Sequence, residues 1–230
     1  MSQPDTAQTP GAPHPFRIRD CALAVLATGR KARVLQEFRT VLSEVEPSCL
    51  YHHFWGGLLQ PRFDEREYNN DFAAWVHHGI HDAVLAERLA ALDPTSFADL
   101  ESLRREVLEL VDNRLDEAEQ LFWSRATRQF EFMRSQIVVF DTDRRLQRPE
   151  DLASIVPLMS TSSVFYHFVD ARRRTRDSHD DFSDWLAAWG GEYDGLREQL
   201  IGVDPYFGSL SELRDELAQL FAAHFREPAP

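Results

Sequence analysis

Lysine is nearly absent from this 230-residue chain: Lys31 stands alone among 25 basic residues, set against 38 acidic ones for a net charge of −13. That balance repels phosphate backbones and anionic lipid, so neither nucleic acid nor a membrane surface is expected as a partner. Arginine in place of lysine points to a GC-rich, bacterial genome rather than to a mechanism. Cysteine is equally scarce. Cys21 and Cys49 lie far apart without C-x-x-C spacing, which excludes a disulfide framework and a cysteine zinc site and makes a reduced cytoplasm the expected compartment. Eighteen apolar residues never run together, so no transmembrane helix is expected. Residues 1–15 are rich in Pro, Gln, Thr and Ala and lack the basic and apolar segments of a signal peptide, so they and residues 226–230 read as tails. A glycine-rich phosphate loop, a G-x-S-x-G elbow and a dinucleotide fingerprint are all missing, which excludes the commonest nucleotide enzymes and α/β-hydrolases.

What is present is ordinary globular composition, 43% apolar and 27% charged, with enough length for one large domain or two small ones. Ser48-Cys49-Leu50-Tyr51-His52 recurs as Ser163-Val164-Phe165-Tyr166-His167. Asp71-Phe72-x-x-Trp75 recurs as Asp181-Phe182-x-x-Trp185, and Leu85-x-Glu87-x-Leu89 with Asp93-Pro94 recurs as Leu196-x-Glu198-x-Leu200 with Asp204-Pro205. Phe16 and Ile18 correspond more weakly to Phe130 and Phe132. The same order in both halves predicts a mainly α fold made by tandem duplication of a helical unit of about 110 residues, with units at 16–128 and 129–225, the second diverged. Asn69 or Asn70 is placed to cap a helix from Asp71 whose apolar face carries Phe72, Trp75, Val76 and Ile80. Ser96 with Asp99 and Ser209 with Glu212 have capping-box spacing, and the apolar residues behind each keep helical period. The first of these long helices is expected to run on past Leu121 toward Gln129. β-branched enrichment predicts a short strand at Gln136–Phe140, and another at Ile18–Leu26, opening each unit.

At S-x-[FL]-Y-H, N-D-F-A-x-W-V and L-x-E-R-L-A-x-[IL]-D-P the chain resembles an uncharacterised prokaryotic family, a domain of unknown function, well over residues 16–115 and weakly over 130–225. Members carry Y-H-x-H, and the second histidine of that motif falls here at Phe54, so a two-histidine site does not transfer. The resemblance implies no activity.

The repeated polar residues are His52, Asp71 and Glu87, with His167, Asp181 and Glu198 in the second half. A histidine with two carboxylates can ligate a divalent metal or act as a general base with its orienting acid. The plainer reading makes each histidine a core residue bonded to a helix N-terminal acid. His77, His78 and His81 are a second metal candidate, because His77 and His81 share a helix face at i, i+4. The glutamate of H-E-x-x-H is replaced by His78, however, and Gly79 weakens the helix. The run Arg172-Arg173-Arg174 with Arg176 suits phosphate, or more simply neutralises nearby aspartates. The expected function is therefore a non-catalytic cytoplasmic scaffold or regulatory module binding a protein partner or a second copy of itself. The alternative is a metal-dependent or acid-base enzyme using His52, Asp71 and Glu87. No cofactor is expected, with a divalent metal such as zinc as the alternative.

Overall fold

The computed structural model describes residues 14–59, 67–175, 178–206 and 208–226, so most of both expected tails lies outside the described residues, as do Arg176 and Asp177. Two strands, β1 (Phe16–Ala32) and β2 (Phe130–Leu146), pair in a two-stranded sheet. The Thr142 hydroxyl donates to the Ile18 carbonyl and the Thr28 hydroxyl to the Phe132 carbonyl, each at 2.6 Å. Partner numbers fall along β2 as they rise along β1, so the pairing is antiparallel.

The helices between the strands are α1 (Leu35–Glu44), α2 (Pro47–Trp55), α3 (Asp71–Trp75) running into a π-helical turn (Val76–Ile80), α4 (Ala83–Ala90) and α5 (Leu100–Glu117). After β2 come α6 (Asp151–Ile155), α7 (Thr161–Val164), a second π-helical turn (Phe165–Asp170), α8 (Ala171–Arg174), α9 (Asp181–Ala187), α10 (Asp194–Ile201) and α11 (Leu210–Arg226). The chain divides into a continuous unit, Cys21–Val138, and a split unit that joins the chain up to Asp20 with the chain from Val139 onward.

This division corrects the expectation of a mainly α chain made of tandem helical halves with short opening strands. Each strand is 17 residues long. The unit boundaries fall inside both strands, after Asp20 and after Val138, rather than between two tandem halves. The physical reason is aromatic packing at the strand starts. In the split unit Phe16 lies 5.3 Å from the rings of both Phe182 and Trp185, far along the chain. In the continuous unit Phe38 stacks on Trp75 at 5.3 Å and on Phe132 at 5.5 Å, with Phe72 and Phe130 edge-on. The first residues of each strand thus complete the core of the helices written in the other half of the sequence.

Local signals set the helix starts. The Asn70 side chain accepts from the Ala73 amide to start α3, and Asp180 accepts from the Ser183 amide to start α9. Ser209 and Glu212 form the reciprocal capping box. Asp99, not Ser96, caps α5, through the Ser102 amide. α5 stops at Glu117 because Ala118 leaves helical backbone, so it does not run on toward Gln129. In the continuous unit α5 packs on α1, α2 and α4; in the split unit α11 packs on α6, α7 and α10. Leu103, Val107, Leu213 and Leu217 are buried as their period demands, while Leu110 and Leu220 are half-buried.

Trp75 holds the continuous core in two ways. Its ring is buried on Phe38, and its indole N–H donates to the Arg128 carbonyl at 2.7 Å. Gly79 makes room for it, since a Cβ there would sit 3.0 Å from the indole ring. Trp75→Ala is expected to cost about 3–5 kcal/mol, read from urea denaturation. An unchanged midpoint would show that this face does not carry the core.

Candidate functional site

A two-stranded sheet leaves outward-facing backbone groups on both strands, and helical side chains supply partners for some of them. In the continuous unit, the Met133 amide of β2 donates to His53 Nε2 on α2 at 3.1 Å. An amide can only donate, so Nε2 is bare and Nδ1 carries the ring proton, which it gives to Asp71 Oδ2 at 3.0 Å. Asp71 is the first residue of α3, where the helix dipole favours a carboxylate. The ring is 3% exposed and Asp71 36%, so the tie runs from a buried strand edge to a carboxylate that water reaches.

The split unit holds the same kind of tie. The Arg19 amide of β1 donates to His167 Nε2 at 2.8 Å, and His167 Nδ1 meets Asp181 Oδ2 at 2.7 Å. The Ser163 hydroxyl donates to the Arg19 carbonyl, so both outward groups of that residue are bonded. Arg174 reinforces the carboxylate: it donates to Asp181 at 3.0 Å and to Asp170 at 2.8 Å, and stacks on Tyr166 with its guanidinium 4.2 Å from the ring centre. Arg173 also pairs with Asp170, and Arg172 donates to the carbonyls of Leu200 and Val203. These three arginines of the basic run are therefore engaged with groups of their own unit.

The sequence pattern set His52 beside His167, but the bonds set His53 there. His52 instead meets the Ser135 hydroxyl of β2 through Nδ1 at 2.7 Å. Its ring lies against Gly56, where a Cβ would come within 2.9 Å of Nδ1. Burial first, and then the neighbouring His53, push the His52 ring down to about 4. Glu87 does not join His52 and Asp71; it is exposed and accepts from the Tyr68 hydroxyl at 3.4 Å. Glu198 is exposed on α10, outside the His167–Asp181 bond. The spacing that relates Phe16 and Ile18 to Phe130 and Phe132 also relates His167 to His53, and that signal pointed to the correct residue.

Among the described residues, two groups bring three metal-ligating side chains together: His52, His53 and Asp71, and Glu67, His77 and His78. The first fails as a ligand set. His53 Nε2 holds a backbone amide, and Nδ1 would have to lose its proton to bind an ion, leaving the ring with no proton at all. The second lies on the surface around the π-helical turn. There Tyr68 is pushed up by desolvation and by Glu87 and Glu67. His81 is not part of it; it ends that turn with left-handed backbone, φ 64°. Elsewhere in the continuous unit, Arg33, Arg125, Ala126, Thr127 and Gln129 line an open hollow of about 290 Å³.

Comparison with known proteins gives two matches. A family model described as a family of unknown function, DUF5752, matches residues 13–222. The solved structure of OrfY from Thermoproteus tenax is similar at 27% identity and a TM-score of 0.79, covering 93% of this chain and 96% of that one. No curated protein matches the chain.

The buried His52 ring gives stability a pH dependence with a definite sign. An unfolded histidine takes its proton near 6.5 and the folded His52 only near 4, so between these values the unfolded chain binds more protons. His52's share of stability is intact above 6.5 and is lost as pH falls toward 4, by up to about 3 kcal/mol. Urea midpoints across that range should fall more steeply for wild type than for His52→Gln. Parallel curves would show that His52 is not the group responsible.

Proposed function

Because the chain belongs to the family of unknown function DUF5752, its role has to come from its own groups, and we propose that it is a non-catalytic cytoplasmic interaction module with a protein partner. The observation that carries this reading is the saturation of the two histidine–aspartate ties. Each ring has one nitrogen on a backbone amide and the other on a carboxylate, which leaves no lone pair to take a proton from a substrate. Cys21 and Cys49 are buried and not disulfide-bonded, which supports a reduced compartment. Among the described residues no helix is long and apolar enough to cross a membrane.

An interaction module needs a surface, and the continuous unit offers one on its strands. Val25 and Leu26 are each 43% exposed and Val138 49%, in a stretch of β1 and β2 without charged side chains from Cys21 to Gly29 and from Ser135 to Val138. Exposed apolar strand marks an interaction surface, and its backbone offers donors and acceptors to any strand laid beside it. A second copy of this chain is the first partner to test, since it brings the same stretch.

Sedimentation velocity on wild type and Leu26→Lys over increasing concentration tests this. Wild type is expected to associate while Leu26→Lys stays monomeric with unchanged thermal stability. Wild type that remains a monomer throughout rejects self-association through this stretch. Removing a tie by His53→Ala should cost about 2–4 kcal/mol, because a buried amide loses its acceptor and Asp71 its donor.

A further inference from the structure

The π-helical turn after α3 carries a second arrangement that the histidine ties do not use. Glu67, just before α3, sends its two carboxylate oxygens to two consecutive histidines: Oε2 lies 2.9 Å from His78 Nε2 and Oε1 3.8 Å from His77 Nε2. Neighbouring residues on an α-helix do not face each other, but the wider π turn narrows the angle between them, and the rings of His77 and His78 meet edge to face at 4.9 Å. Glu67 and His78 are exposed and His77 is half-buried, so an ion has an open path to all three.

We propose that Glu67, His77 and His78 bind a divalent first-row transition metal of the zinc class. Two imidazole nitrogens and one carboxylate oxygen are the donor set such ions prefer, and three protein ligands leave one position for water. Ligands about 2.0–2.2 Å from a tetrahedral ion stand roughly 3.4 Å apart, and the observed 2.9 Å and 3.8 Å lie on either side of that value. Glu67 and His78 are exposed, so their side chains can rotate into a ligating arrangement around the half-buried His77.

The outer partners already point the right way. His77 Nδ1 lies 2.8 Å from the Tyr68 hydroxyl, and that hydroxyl donates to Glu87 at 3.4 Å. With its proton spent on Glu87, the Tyr68 oxygen accepts from His77 Nδ1–H, and Nε2 keeps its lone pair toward Glu67. This is the histidine–acceptor pairing that orients metal-bound imidazoles. His78 Nε2–H donates to Glu67 without metal, so binding moves that ring proton to Nδ1 and frees Nε2 for the ion.

The site shares no residue with the histidine–aspartate ties, so it stands or falls apart from the interaction-module reading. The test is equilibrium dialysis of the tag-free, chelator-stripped full chain against zinc chloride, with cobalt(II) absorption as the readout of coordination. One zinc per chain is expected, with affinity reduced about tenfold or more in each of His77→Ala, His78→Ala and Glu67→Ala. His81→Asn should bind as wild type does, and magnesium in large excess should not compete. Circular dichroism confirms that each variant is folded. Wild type without stoichiometric zinc overturns the proposal, as does a folded His77→Ala/His78→Ala double variant that binds like wild type.

Discussion

The structure depends on how a two-stranded sheet meets the hydrogen-bonding demand of its own edges. A wider sheet would lay another strand on each side; here a helix arrives instead, and a helix has no backbone groups to spare for a neighbour. Histidine solves the mismatch. Its flat ring carries an acceptor on one side and a donor on the other, so His53 takes the Met133 amide and passes a proton to Asp71, and His167 does the same between Arg19 and Asp181. The polar demand of a buried amide is carried across an aromatic core to a carboxylate at a helix start. Asparagine or glutamine has the same pair of functions, but neither packs its face against Phe72 and Phe130 as His53 does.

That solution also decides where chemistry is available. A histidine fixed at both nitrogens is a strut, and the arginines around the second strut hold it further. Arg174, stacked on Tyr166 and bonded to Asp170, also donates to Asp181, which gives a dense basic run an internal purpose. Ring nitrogens with freedom to act are found instead on the exterior of the π-helical turn, where His77 and His78 are oriented by side chains alone.

Much of the helical layer was legible in the sequence because its signals are local. Asn70, Asp180 and the Ser209–Glu212 box each satisfy helix-start amides within a few residues, and the stripes through Trp75 and Trp185 point at real cores. The strands were legible only as fragments. From Ala22 to Ala27 every residue is small or apolar and most are exposed, so the run lacks the inside–outside alternation by which a strand announces itself. The histidine register slipped by one residue for a related reason. Two neighbouring histidines fit the same short pattern, and the partner that separates His53 from His52 is a backbone amide in β2, which has no side-chain signature. Glu67 belongs to no motif, and only the fold brings it to His77 and His78.

The cut through both strands has a bearing on the order in which the protein can be made. A ribosome delivers Phe16 to Asp20 before the continuous unit, yet the helices that bury Phe16 and bond Arg19 are those carrying His167, Phe182 and Trp185, which emerge well over a hundred residues later. The continuous unit can close once Val138 is free, because its ribbon segments and helices have by then all been translated. Until those helices are translated, Phe16 and Ile18 have no core to enter and the Arg19 amide lacks its histidine acceptor. Translation therefore ripens this chain from the middle outward, and the Phe16–Asp20 segment finds its place only after the unit that follows it in sequence.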